Sequence, residues 1–135
     1  MLKFIIGGSG TGKTQRLVEL ANDLKAKSSG NVVFIDDDTR HMYDVDSKVR
    51  FINIKEFPID TFEGCLGFLC GIISSDYDIE SILVDGLFKV MNIEADDIAS
   101  VVPTIEKISE LFEIDLYVTV SLEKLPEELA SYEYK

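Results

Sequence analysis

The chain has 135 residues, 46% of them hydrophobic, and its 25 acidic against 13 Lys and Arg residues give a formal net charge of −12. That length holds one core and leaves no room for a second domain of ordinary size, so residues 1–135 read as a single domain. A charge of that sign argues against a broad electrostatic footprint on DNA or RNA, whose non-specific binding energy comes mostly from Lys and Arg neutralising phosphates, and leaves only a local basic patch open.

Leu2 to Ile6 is short, apolar and closed by glycine, the pattern of a buried strand. Directly after it comes Gly7-Gly8-Ser9-Gly10-Thr11-Gly12-Lys13-Thr14, and directly after that a helix-patterned segment. Strand, glycine loop and helix in that order are the context a phosphate-binding P-loop requires. The glycines let successive backbone N–H groups turn inward and, with the positive end of the helix, cradle a polyphosphate. Gly7, Gly8, Ser9, Gly10, Thr11, Gly12, Lys13, Thr14 and Gln15 are therefore the expected nucleotide contacts. Lys13 would reach the β and γ phosphates, and Thr14 would offer its hydroxyl to Mg²⁺, a hard cation that takes oxygen ligands.

From Lys13 to Lys27, Leu17, Leu20, Ala21 and Leu24 recur at helical spacing, and Ser28-Ser29-Gly30 ends the helix. Asn31 to Ile35 supplies a second β-branched and aromatic strand and runs into Asp36-Asp37-Asp38. Three adjacent carboxylates would repel a triphosphate unless one is aimed at an attacking water, which makes Asp38, or else Asp37, the candidate general base. A solvated acidic turn is the plain alternative. His41, the only histidine, reads as a surface residue of the polar stretch Thr39 to Lys48. Arg40, Arg50, Lys89 and Lys124 read as solvated charges, although either arginine could serve phosphate as an arginine finger does.

Val49 to Ile54 is a third short strand, and Pro58 marks the turn into a helix over Asp60 to Ser74, with Phe62, Cys65, Leu66, Leu69, Ile72 and Ile73 on one stripe. Its interior Gly64, Gly67 and Gly71 each cost about 1 kcal/mol relative to alanine, and close packing on the sheet is their expected reason. Cys65 and Cys70 fit neither a zinc clip nor a redox pair and read as small core residues.

Ser81 to Val84 is the fourth strand, closed by Asp85-Gly86. An apolar strand ending in Asp puts a carboxylate at the carboxyl edge of a parallel sheet, and Asp85 is the expected partner of Thr14 in holding the Mg²⁺ shell. Ala95 to Glu113 carries Ile98, Val102, Ile105, Ile108, Leu111 and Phe112 on one face, with Pro103 either kinking the helix or opening a second one. Leu116 to Val120 is the fifth strand. Residues 121–135 leave short helix, edge strand and loose tail all open. Strands alternating with helices, and apolar along their whole length, predict a three-layer α/β sandwich around a mostly parallel five-stranded sheet. No apolar stretch is long enough to cross a bilayer and no secretory leader is apparent, so a cytoplasmic protein is expected.

Taken together, Gly-Gly-Ser-Gly-Thr-Gly-Lys-Thr, Val-Val-Phe-Ile-Asp-Asp-Asp, Ile-Leu-Val-Asp and Leu-Tyr-Val-Thr-Val-Ser resemble the core of RecA-like P-loop ATPases over residues 1 to about 122. The resemblance implies ATP and Mg²⁺ as cofactors, catalytic roles for Lys13 and Asp38, Ser121 as the γ-phosphate sensor, and a strand between those carrying Lys13 and Asp85. The chain departs from the family in having Asp where its base is Glu, a small Ser121, and no visible DNA-binding loops. The expected activity is ATP binding with weak or partner-activated hydrolysis, in company with a second copy of the chain or another protein. Two alternatives keep the same loop: a non-catalytic regulatory or assembly module, and a small-molecule kinase resembling RecA-like cobinamide kinases.

Overall fold

A computed structural model describes residues 1–135. Five strands form one all-parallel sheet: β1 (Leu2–Ile6), β2 (Asn31–Asp36), β3 (Arg50–Asn53), β4 (Ile79–Val84) and β5 (Asp115–Val120), in the spatial order β1-β5-β4-β2-β3. Parallel neighbours cannot be joined by a tight turn, so helices make most of the crossings. They are α1 (Lys13–Lys27), α2 (Phe62–Ser75), the short α3 (Leu87–Met91) and α4 (Ile98–Phe112).

Because side chains alternate along a strand, each strand feeds two cores. Leu2, Phe4, Val33, Ile35, Ile82, Val84, Leu116 and Val118 join the larger core with residues of α2, α3 and α4. Ile5, Val32, Phe34, Leu83 and Tyr117 face the other way and pack on Leu17, Val18 and Ala21 of α1. A chain apolar on both faces of its strands has to cover both; on one of them α1 is the only helix, joined by Val45 and Val49 from the segment before β3.

Several local expectations are corrected. The third strand is shorter than Val49 to Ile54, because Ile54–Glu56 turns into a 3₁₀ helix capped by Asn53, whose Oδ1 accepts from Lys55 N at 3.0 Å. Helix α2 starts at Phe62 because Thr61 caps it, its hydroxyl accepting from Gly64 N at 3.0 Å. Gly67 and Gly71 do not pack closely on anything: a Cβ at either would meet no atom within 4 Å. Leu111 does not belong to the buried stripe of α4 and is 69% exposed. At about 100° per residue it lies round the helix from Ile98, Val102 and Ile105. The same helix runs through Pro103 rather than restarting there. The last residues form a 3₁₀ helix, Glu127–Tyr132, after which Tyr134 N donates to Phe4 O at 2.8 Å and Glu133 bridges Phe4 in parallel, so the chain end lies along the open edge of β1.

Candidate functional site

The carboxyl ends of β1, β5, β4 and β2 and the amino end of α1 meet at one rim of the sheet. The period of two decides which groups face α1 there. Continuing the α1-facing series of each strand, Phe34 leads to Asp36, Leu83 to Asp85, and Tyr117 to Thr119. All three polar side chains are buried, at 1%, 3% and 2% exposure.

Between β1 and α1, the amides of Gly8 through Gln15 donate to no main-chain carbonyl; the first bond of the helix is Arg16 N to Gly12 O, at 3.0 Å. Gly12 caps α1 with φ 86°, a left-handed conformation that a side chain would oppose by about 1–2 kcal/mol. It is this turn that leaves successive N–H groups free at the helix start, where the peptide dipoles also concentrate partial positive charge. Inside the loop, Lys13 Nζ donates to Gly8 O at 2.8 Å and Thr11 Oγ1 to the same carbonyl at 2.6 Å. An open hollow of about 310 Å³ is lined by Gly10, Gly12, Lys13, Thr14, Gln15 and His41.

Thr14 and Asp85 are brought together across 71 residues of sequence: Thr14 Oγ1 donates to Asp85 Oδ2 at 2.9 Å. The other carboxylate oxygen, Oδ1, accepts from Thr119 Oγ1 at 2.8 Å. Two hydroxyls thus fix the plane of the carboxylate. Ser121, the residue expected to act as sensor, lies one pleat beyond the strand end and is exposed, whereas Thr119 stands beside Asp85. The strand's own alternation from Tyr117 was the signal for it.

The acidic run after β2 divides. Asp36 stays in the strand, its Oδ1 accepting from Asp37 N at 2.7 Å. Burial first, and the Asp85 charge after it, push its carboxyl up to about 7, against the opposing pull of the Asp37 amide and Lys89. Asp38 turns outward, where Arg40 N donates to Oδ1 at 2.9 Å and the guanidinium to Oδ2 at 2.8 Å. The Arg40 amide, helped by the guanidinium, holds it below the ordinary carboxylate range. Neither Asp38 nor Arg40 lines the hollow beside Lys13.

Lys89 enters the site although it read as a surface charge. Gly86, at φ 111°, lets the lysine stem fold over the turn after β4; a Cβ there would sit 2.4 Å from Lys89 Cε and 2.5 Å from Cγ. The ammonium lies 3.2 Å from Asp37 Oδ1 and 3.6 Å from Asp36 Oδ1. Burial alone would lower the Lys89 pKa, but the carboxylates of Asp36, Asp37 and Asp85 outweigh it and the ammonium is favoured. Arg50 and Lys124 make no ion pair. Both cysteines are free, and burial raises the Cys65 thiol to about 11, which makes it a poor nucleophile at neutral pH.

With this geometry in view, the chain matches no protein-family model, and a search among curated proteins returns no relative. The site is therefore read on its own chemistry. No helix is long and apolar enough to cross a membrane.

Proposed function

We propose that this chain is a nucleotide-binding protein of the RecA-like P-loop type that holds ATP with Mg²⁺ in the cytoplasm and hydrolyses it slowly or on contact with a partner. The observation that carries the reading is the run of unpaired amides from Gly8 to Gln15 at the head of α1, next to the Thr14–Asp85 hydrogen bond. Backbone donors of that kind donate to α, β and γ phosphate oxygens, and Lys13 can exchange the neutral acceptor Gly8 O for an anionic phosphate oxygen.

The oxygens of Thr14 and Asp85 suit a hard divalent cation: they lie 2.9 Å apart, and Thr119 holds the carboxylate from its other side. Bound there, Mg²⁺ would neutralise charge on the β and γ phosphates. What the chain itself contributes is positioning. The amides fix the polyphosphate, Thr119 fixes the orientation of Asp85, and Lys89 offsets the carboxylates that would otherwise repel the nucleotide.

Asp38 remains the proposed water-orienting residue, and its pairing with Arg40 gives hydrolysis a gate: the carboxylate serves only once the guanidinium has left it. That pairing equally favours a second reading, in which nucleotide binding orders an assembly surface and no turnover occurs. Isothermal titration with ATP, ADP and GTP, with and without Mg²⁺, tests the binding. Micromolar ATP affinity that strengthens with Mg²⁺ and disappears in Lys13→Ala is expected. An absence of heat with every nucleotide, or a Lys13→Ala variant that binds like the wild type, defeats the proposal. Phosphate release from ATP, compared between wild type and Asp38→Ala, separates the ATPase from the non-catalytic module.

A further inference from the structure

We propose that His41 contacts the bound polyphosphate directly, as the second cationic side chain of the phosphate hollow; this rests on the nucleotide-binding reading above. Of the six residues lining the hollow only Lys13 and His41 can carry positive charge. Arg40 is paired with Asp38 and Lys89 with Asp37 and Asp36, and Arg16 and Lys124, which make no ion pair, do not line the hollow. A triphosphate entering this hollow in a chain of net charge −12 thus meets one ammonium and one imidazole that can take up a proton against it.

Its position is built rather than incidental. Asn22, two and a half turns down α1 from Lys13, clamps the segment after β2 from both sides: its Nδ2 donates to Asp44 O at 3.1 Å and its Oδ1 accepts from Asp46 N at 2.8 Å. Within the segment, Asp44 N donates to His41 O at 3.0 Å, closing a turn that brings the ring back toward the head of α1. The Asp44 carboxylate then sits 3.0 Å from His41 Nδ1, which orients the ring and leaves Nε2 for the hollow. An imidazolium with one N–H on a carboxylate and the other on a phosphate oxygen makes two charge-assisted hydrogen bonds. Asp44 is thus a positioning residue and His41 a ligand contact.

Titration calorimetry with ATP and Mg²⁺ over a series of salt concentrations tests this on the full chain. His41→Gln should weaken ATP binding about tenfold and flatten its salt dependence, because one screened charge pair is gone. His41→Lys should keep affinity within about threefold, and Asp44→Asn should fall between the two. The melting temperature of ligand-free His41→Gln should match the wild type, since the ring is a third exposed. Lys13→Ala in the same assay keeps the two claims apart. If wild type binds ATP, Lys13→Ala does not, and His41→Gln matches wild type in affinity and salt dependence, the His41 assignment is overturned and nucleotide binding stands. If wild type itself binds no ATP, both fall.

Discussion

Two stretches of this chain are rich in glycine, and they use it in opposite ways. Between β1 and α1, Gly10 and Gly12 stand at φ 76° and 86°, in backbone conformations that other residues resist. In α2, Gly64, Gly67 and Gly71 are ordinary helical residues on the solvent side, and the last two have open space where a Cβ would be. The first set makes a surface of unpaired amides; the second only loosens a helix. What separates them is the sign of φ and the fate of the neighbouring N–H groups, neither of which a count of glycines contains.

The sharpest way to break the comparison is Gly12→Val. A β-branched residue at φ 86° costs about 1–2 kcal/mol in strain and turns the amides of Gly12 and Lys13 away from a bound phosphate, each worth about 1.5–3 kcal/mol. ATP affinity should fall about a thousandfold, roughly 4 kcal/mol, by calorimetry. Retention of affinity would mean that the loop's conformation is irrelevant to the ligand.

Asp36 supplies the next largest effect, and it is one of pH. Its carboxyl, raised from 3.8 to about 7 chiefly by burial, binds a proton in the folded chain over a range where the unfolded chain has lost it. The stability it contributes is therefore complete below pH 4 and lost as pH rises through 7. Asp36→Asn never ionises and escapes that loss, so its advantage over wild type should be about 2–3 kcal/mol greater at pH 8 than at pH 5. Denaturant titrations of both proteins at the two pH values decide it. A gain that does not grow with pH would show that Asp36 ionises in the folded state as freely as in the unfolded one.

Thr119→Val follows, at about 1–2 kcal/mol. It keeps the shape of the side chain but strips one hydrogen bond from Asp85 Oδ1, a buried carboxylate oxygen. The loss should appear in the melting temperature without nucleotide, and the Mg²⁺ dependence of ATP binding should weaken as well. A change in stability alone would confine Thr119 to the fold.

The same contrast separates what the sequence alone reveals from what only the folded chain does. Short, mostly apolar runs between turn signals mark β1, β2, β4 and β5, and the leucines of α1 mark its buried face, because each of these signals is local. The places of Thr119 and Asp36 follow from extending the alternation of Tyr117 and Phe34 one step further. Helix α3 has five residues, too few to display a period. The place of Lys89 depends on the backbone of Gly86, and that of His41 on a clamp from Asn22, so both rest on contacts between segments far apart in sequence.

The smallest effect returns to the helix glycines. In Gly67→Ala and Gly71→Ala the new methyl meets nothing within 4 Å, and the residue is already helical, so neither strain nor collision opposes the change. What remains is the unfolded chain, which loses conformational freedom and becomes less favourable by about 0.4–1 kcal/mol for each substitution. The two gains should combine, since the residues stand four apart on one open side of α2 and neither new methyl has a neighbour to share. The double variant should melt several degrees higher and bind ATP as wild type does. A double variant that is destabilised would mean that this side of α2 is covered in solution, because only a surface pressed against it could object to two added methyl groups.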